Sequence, residues 1–192
     1  MRKIIFDIET RNSFQDVGKA DPVMLDISVV CAYDSETGEY HTFLQEDLHK
    51  LWPLIEKADV LITFNGDHFD IPLLNKYYSG DLTKIKSLDL LKEVRASLGH
   101  RIGLGRITEG TLNKGKSGHG LEAIEWWRTG QIDKIITYCL DDVKVTKEIY
   151  EYALKNKSLK YKEGEEIIEF PINTTGWEEK SEDIKMTFSL PF

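Results

Sequence analysis

Residues 1–10 read MRKIIFDIET, and this stretch decides the fold. Its side chains alternate from residue 3 to residue 9, so an extended chain carries Ile4, Phe6 and Ile8 on one face and Ile5, Asp7 and Glu9 on the other. The alternation predicts a β-strand on which the carboxylates of Asp7 and Glu9 lie side by side. One metal ion could contact both, but a solvated strand face often carries the same pattern, so the pair alone leaves both interpretations open.

The segments that follow predict a sheet with helices packed on it. An Ile- and Val-rich run at 24–33, turn residues at 34–38 and an alternating run at 39–44 indicate an antiparallel three-stranded start. The continuous apolar run at 60–64 is typical of a strand buried on both faces, and a short strand follows at 85–88. Helical spacing of apolar residues predicts a helix over 46–57, in which Pro53 must cause a kink or lie in the first turn. The same spacing predicts helices over 68–78, from 89, 121–127 and 131–154. This order of elements is typical of an α/β fold.

Composition indicates an ordinary globular protein. The 192 residues are 41% hydrophobic and 30% charged, and the two cysteines, Cys31 and Cys139, lie in apolar segments where core thiols are expected. The N-terminal apolar stretch is cut at Asp7, far short of a signal sequence or a membrane span. We therefore expect a cytoplasmic protein with no membrane segment.

The formal net charge of −8 argues against a protein that coats nucleic acid through bulk electrostatics. Two interpretations fit this charge. Either the partner is not nucleic acid, or acidic residues gather round metal ions while local basic residues contact the phosphates.

The chain divides into a main domain over 1–155 and a C-terminal extension over 156–192. Two alternating runs in the extension, at 167–172 and 184–190, predict a β-hairpin packed on the main domain, and a protein partner could dock there. The segment 99–120 is rich in glycine and basic residues, which predicts a mobile loop around one short helix.

A third carboxylate, Asp70, ends the segment FNGDHFD at 64–70, directly after the buried strand. Ligand sites in α/β sheets lie at the carboxyl ends of such strands, where loops and helix N-termini converge. The alternative is that Asp67 or Asp70 only begins the next helix, because acids are favoured in the first turn.

The helix at 131–154 separates two adjacent acids by their phase. At about 100° per residue, Asp141 lies some 160° from Cys139 in the apolar stripe, whereas Asp142 lies about 60° away. We therefore expect Asp141 to face solvent and Asp142 to lie with Tyr138 at the border of the stripe, where a half-buried carboxylate needs partners. A surface hydrogen bond between this tyrosine and this aspartate is the alternative explanation.

Four carboxylates on three separate segments, namely Asp7, Glu9, Asp70 and Asp142, suit hard divalent cations with oxygen ligands. Two such ions about 3.5–4 Å apart can activate a water and stabilise the leaving oxygen in phosphodiester cleavage. Clustered acids would otherwise repel one another. The predicted cofactors are therefore two divalent cations, Mg²⁺ or Mn²⁺.

The three acidic segments also resemble a known pattern. DIET at 7–10, FNGDHFD at 64–70 and YCLDD at 138–142 are similar, in the same order, to the three motifs of DEDDy exonucleases, especially the proofreading domain of family B DNA polymerases and its stand-alone YprB-like relatives. The resemblance covers about residues 1–155. It implies a ribonuclease H-like fold, a mixed α/β sheet that begins with three antiparallel strands, continues with parallel strands and carries helices on both faces. It also implies 3′–5′ exonuclease activity on a single-stranded 3′ end, which we expect to be DNA.

The resemblance implies a role for each matching residue. Asp7, Glu9 and Asp142 would bind the first metal, Asp7 would also bridge to the second, and Asp70 would hold the second directly or through water. Tyr138 would orient the attacking water. The contacts to nucleic acid implied in the same way are Thr10, Asn65, Phe69, Lys114 and Lys116.

Other functions compete with this one. Residues 110–117 fit the G-x-x-x-x-G-K-[ST] pattern of a phosphate-binding P-loop, but no β run precedes them, and Gly118 and Gly120 interrupt any helix that would follow. An ATPase is therefore disfavoured. A nucleic-acid-binding module without catalysis and a ribonuclease H-like nuclease that cuts RNA or hybrids are the remaining alternatives, and the tyrosine at 138 favours the exonuclease.

Overall fold

The computed structural model describes residues 1–115 and 120–180 of the chain. Its strands are β1 (Lys3–Thr10), β2 (Ile27–Asp34), β3 (Glu39–Leu44), β4 (Val60–Thr63), β5 (Ser87–Asp89), β6 (Ser158–Glu163) and β7 (Glu166–Pro171). Its α-helices are α1 (Phe14–Val17), α2 (Trp52–Glu56), α3 (Asp70–Asn75), α4 (Leu90–Leu98), α5 (Leu104–Leu112), α6 (Gly120–Arg128) and α7 (Ile132–Asn156). Short 3₁₀ helices span Pro22–Met24, Gln45–Lys50 and Leu82–Lys84.

β1 is the central strand of a five-stranded sheet with the order β3-β2-β1-β4-β5. On one side β2 and β3 continue the sheet antiparallel, and on the other β4 and β5 run parallel to β1. The predicted mixed α/β sheet is therefore confirmed. β1 pairs with β4 through residues 3–5, so the second half of β1, with Asp7 and Glu9, runs on past the end of β4.

Helices cover both faces of this sheet, each over its own core. Ile4, Phe6 and Ile8 pack on the side of α2 and α3. Ile5 packs on the other side, in the core that α4, α5, α6 and α7 share. Because side chains alternate along a strand, Asp7 lies on the face that α7 covers, as the sequence pattern predicts.

Two predicted helices are shorter than expected. The helix predicted at 46–57 is a 3₁₀ helix followed by α2, with Pro53 in the first turn of α2. A proline lacks the amide hydrogen and its ring clashes with the carbonyl four residues earlier, so one continuous α-helix cannot run through it. The helix predicted at 68–78 begins only at Asp70, because the preceding loop turns through Asn65 at a φ of 77°. The other predicted elements of 1–155 are present, with ends shifted by a few residues.

The C-terminal hairpin is made differently from the prediction. The run predicted at 167–172 is β7, but its partner is β6, a segment for which the sequence analysis predicted no strand. The alternation of β6 is short, with Leu159 and Tyr161 buried and charged residues between and around them, which hides the strand pattern. The run at 184–190, predicted to be the partner, lies outside the described residues.

The P-loop-like segment begins inside a helix. Gly110 lies in α5, where a Cβ atom would approach the Cα of Tyr161 in β6 to 2.5 Å. The hydroxyl of Thr111 donates to the carbonyl of Lys160 at 2.7 Å and accepts from its amide at 2.9 Å. Close packing of a helix on a strand thus explains this glycine, and the strand-to-loop entry of a phosphate-binding P-loop does not occur here.

Across residues 1–115 and 120–180, no helix combines the length and the apolar character that crossing a bilayer requires.

Candidate active site

Three carboxylates meet where α7 crosses β1. Asp7 and Glu9 leave the same face of the strand, and Asp142 faces them from the helix, so that one carboxylate oxygen of each lies within 4.8 Å of the others. Asp141 lies instead on the helix surface, 3.0 Å from the ammonium of Lys144. The helix phase therefore selected the correct member of the adjacent pair.

Asp70 lines the same pocket from the parallel side of the sheet. It is the first residue of α3 and is buried, and its carboxylate accepts hydrogen bonds from its own amide and from the amide of Ile8. This contact is available because β1 runs on past β4 at this point. Asp70 is thus an acid in the first turn of a helix, and it also lines the pocket that contains Asp7 and Glu9. The structure therefore agrees with both the helix-start interpretation and the placement at a ligand site.

The carboxylates raise one another's pKa. Burial raises the pKa of Asp7 well above its ordinary value, and the charges of Asp70, Asp142 and Glu9 add to the effect. Burial also raises the pKa of Asp70 to about 7, although its amide hydrogen bonds oppose the change. A cation between these buried carboxylates would offset both the burial and their mutual repulsion.

The oxygen Oδ2 of Asp7 is buried and has no hydrogen-bond partner among the residues that the structure describes. A buried carboxylate oxygen without a partner is costly. Since Asp7, Glu9 and Asp142 each offer a carboxylate oxygen as a ligand, the site fits a hard divalent cation such as Mg²⁺ or Mn²⁺. Asp7, Glu9 and Asp142 are the residues that would hold it.

Tyr138 lies one helical turn before Asp142 and is only 5% exposed. Its hydroxyl hydrogen-bonds to the carboxylate of Asp142, and its ring packs edge-on against Trp126 with 6.0 Å between the centroids. Burial, and then the charges of Asp142, Glu9 and Asp7, raise the pKa of the phenol. The tyrosine–aspartate hydrogen bond predicted as the alternative is therefore present, but it is buried, and the phenol keeps its proton.

Two buried thiols pack against β1 at Asp7. Cys31 is paired with Asp7 in the β1–β2 register, and the thiol of Cys139 donates to the carbonyl of Asp7 at 3.3 Å. Both cysteines are fully buried and free, as predicted. These contacts fix the backbone that carries the central carboxylate.

Asp89 organises the loop between β4 and α3, a role that the sequence analysis did not assign. Its buried carboxylate accepts from the amides of Asn65 at 2.7 Å, Asp67 at 3.3 Å and Leu91 at 2.9 Å. The last of these bonds caps α4. An aspartate at the start of a predicted helix is a signal that could have identified the cap, but the two long-range bonds depend on β4 and β5 being neighbours.

The predicted substrate residues Thr10, Asn65 and Phe69 all line a cavity of about 400 Å³ in front of the carboxylates. Phe14 and Leu121 line it too, and the sequence analysis missed both. The ring of Phe14 packs edge-on against Phe69, with 6.1 Å between the centroids, and Leu121 is 76% exposed. Apolar side chains at the mouth of the cavity therefore face acidic ones inside it.

One predicted substrate residue, Lys114, does not line this cavity. Lys114 forms an ion pair with Glu148 on α7. Lys116 lies outside the described residues.

Fold and site together define a member of the RNase H superfamily. Residues 4–154 match the family model RNase_H_2, described as RNase_H superfamily, and the chain belongs to this superfamily. The predicted ribonuclease H-like fold is thereby confirmed.

Solved structures of two other proteins share the fold. The family B DNA polymerase of the hyperthermophilic archaeon Pyrobaculum calidifontis aligns with a TM-score of 0.62 and 19% identity, over 80% of this chain and 24% of the polymerase. RNase D of Trypanosoma brucei aligns with a TM-score of 0.58 and 18% identity, over 81% of this chain and 58% of RNase D. The chain thus spans about a quarter of the length of the first and under two thirds of the second. No curated protein sequence matches it significantly.

Proposed function

We propose that this protein is a metal-dependent 3′–5′ exonuclease of the DEDDy type that degrades single-stranded nucleic acid, with DNA as the expected substrate. One observation carries the proposal. The carboxylates of Asp7, Glu9 and Asp142 lie within 4.8 Å of one another around a buried oxygen of Asp7 that lacks a partner in the described chain. Membership of the RNase H superfamily supports it.

The chain's own residues divide into metal ligands and groups that hold the substrate. Asp7, Glu9 and Asp142 would bind one cation, and Asp70 would help to hold a second. When bound, two cations supply an activated water and charge stabilisation at the leaving oxygen. The single O–H of Tyr138 donates to Asp142, so Tyr138 would orient that water through the lone pairs of its hydroxyl oxygen, and a phenol that keeps its proton is not the base.

The cavity in front of the carboxylates is suited to the end of a strand. Phe14 and Phe69 offer ring faces and edges to bases, and base–aromatic stacking tolerates any sequence. Asn65 offers a polar side chain beside them. The likeness to RNase D keeps RNA as the second candidate substrate, since that protein is named a ribonuclease.

The proposal is tested with matched single-stranded, double-stranded and hybrid substrates of DNA and RNA, labelled at either end. With Mg²⁺ or Mn²⁺ we expect a single strand labelled at its 5′ end to shorten in a ladder, and a 3′ label to be released as a mononucleotide. EDTA should stop both. Internal cuts in the RNA strand of a hybrid would indicate the endonuclease instead, and ATP hydrolysis without nucleic-acid degradation would overturn the proposal.

Tyr138→Phe is expected to lower kcat by about 10–100-fold while KM for the strand changes little. The substitution keeps the ring packed against Trp126 and removes only the hydroxyl, which donates to Asp142 and would orient the water. Single-turnover hydrolysis at saturating Mn²⁺ measures the effect, and calorimetry checks that Mn²⁺ still binds. An unchanged rate would remove Tyr138 from the mechanism.

A further inference from the structure

A second pocket adjoins the carboxylate cavity. Its volume is about 330 Å³, and it opens between α4 and the loop that leads from β4 to α3. The residues that line it are Asn65, His68, Asp89, Leu91, Lys92, Arg95 and Arg101. Asn65 lines both spaces, so the two are neighbours across one side chain.

The two arginines of this pocket differ from the other four in the chain. Four arginines form ion pairs with carboxylates, and these are Arg2, Arg11, Arg106 and Arg128. Arg95 and Arg101 have no carboxylate within ion-pair distance in residues 1–115 and 120–180, and both line the same pocket. A protein with a net charge of −8 thus collects its two uncompensated guanidinium groups at one place.

The acidic groups near the pocket are already engaged. Both oxygens of Asp89 accept backbone amides, and Asp67 pairs with Lys92 and accepts from the hydroxyl of Ser87. Arg101 donates to the neutral Oδ1 of Asn65 at 2.8 Å, which orients its guanidinium beside the carboxylate cavity. The remaining donors of both arginines are available to a ligand.

We propose that this pocket binds a backbone phosphate of the strand whose 3′ end lies in the carboxylate cavity. A guanidinium presents planar pairs of donors that match phosphate oxygens, and Arg–phosphate contacts are frequently bidentate. Asn65 joins the two spaces, so a strand that enters one can continue into the other. The inference takes its substrate class, a nucleic-acid strand, from the proposed function. It adds a phosphate-binding site on a protein whose net charge is negative.

The test is strand binding without cleavage, measured by fluorescence anisotropy of a labelled 12-mer of thymidine in the Asp7→Asn background. We expect the double variant Arg95→Gln/Arg101→Gln to bind at least tenfold more weakly. The slope of log K against log salt should fall by about 0.7, since the pocket neutralises one phosphate and each phosphate neutralised on a single strand contributes about 0.7. Arg101→Lys keeps the positive charge but not the paired donors, so its affinity for the strand should lie between those of the parent and of the double variant.

A matched control removes two charges elsewhere. Lys57→Gln/Lys155→Gln changes two exposed lysines, one at the end of α2 and one in the last turn of α7, by the same net charge. It should bind like the parent. If the arginine double variant binds no more weakly than this control, the proposal is overturned, and thermal melts of both variants verify that each is folded.

Two further measurements distinguish this proposal from a free-nucleotide site and from the exonuclease proposal. Thymidine monophosphate competing for the labelled strand should be little affected by the arginine changes, and an equal loss for it would mean a site for free nucleotides instead. If the parent with its native Asp7 hydrolyses no strand but the arginine variant still loses binding, the exonuclease proposal fails and the phosphate pocket stands. If the parent hydrolyses strands and the variant binds them as the control does, only the pocket fails.

Discussion

Asp7→Asn is expected to reduce hydrolysis of single strands by roughly 10³-fold or more and to make the metal-free protein unfold at a higher temperature. Metal ions in such sites supply several kcal/mol of transition-state stabilisation, and each 1.36 kcal/mol is worth a factor of about ten in rate. Asp7 lies at the centre of the carboxylates that would hold the metal, so its loss should remove most of that effect.

The higher melting temperature expected for metal-free Asp7→Asn comes from removing a buried charge. Folding raises the pKa of Asp7 because the carboxyl is buried beside Asp70, Asp142 and Glu9. The folded state therefore resists a charge that the unfolded chain carries freely, and this costs stability at neutral pH. Asparagine is neutral and of the same shape, so the cost disappears, and each kcal/mol regained raises the melting midpoint by about 2–4 °C for a chain of this size.

The matched control is Asp141→Asn. That residue lies on the same helix as Asp142 but forms a surface ion pair with Lys144, which is worth little. Its activity and melting temperature should stay close to those of the parent. Full activity of Asp7→Asn would show that Asp7 is not a metal ligand, and an unfolded Asp7→Asn would show that its role is structural.

The metal-free protein is expected to lose stability between about pH 4 and pH 7, and Mn²⁺ is expected to restore it. The folded-state pKa of Asp70 is about 7 against an ordinary value of 3.8. Because this pKa is raised on folding, its contribution to the free energy of unfolding is fully present below pH 4 and disappears as the pH rises through 7. The loss amounts to about 4 kcal/mol for Asp70 alone, since the residue is buried.

Acids with lowered pKa values act in a different range. The pKa of Asp34, beside the guanidinium of Arg2, and that of Asp26, beside Lys76, are both depressed. Their stabilisation is present at neutral pH and is lost only as the pH falls below about 4. Burial also raises the pKa of Glu93, so between pH 4 and pH 7 the comparison with Asp70→Asn is what assigns the descent to the carboxylate site.

Urea unfolding of EDTA-treated protein across this window measures the effect. Asp70→Asn should reduce the fall in the free energy of unfolding with pH, because it removes one of the carboxyl groups whose pKa is raised. A metal that binds only the folded state stabilises it in proportion to the logarithm of its concentration, so the midpoint at pH 7.5 should rise steadily with Mn²⁺. A free energy that is constant from pH 4 to pH 7, or a midpoint that ignores Mn²⁺, would contradict the metal site.

Local periodicity by itself determined much of the protein. The alternation of residues 3–9 placed Asp7 and Glu9 on one face of the central strand, and the 3.6-residue period of α7 placed Asp142 inward and Asp141 outward. These results came from sequence because each depends on one element, whose geometry is fixed by its own backbone. The ordered acidic motifs also indicated the superfamily that the family model confirms.

Only the tertiary structure decided which separate segments meet. Asp70 reaches the amide of Ile8 because β1 outruns β4, and Asp89 holds the loop at Asn65 because β5 lies beside β4. The pairing of β7 with β6 and the meeting of Arg95 with Arg101 in one pocket arise in the same way. Each depends on packing between distant parts of the chain, and no period within a single segment carries that information.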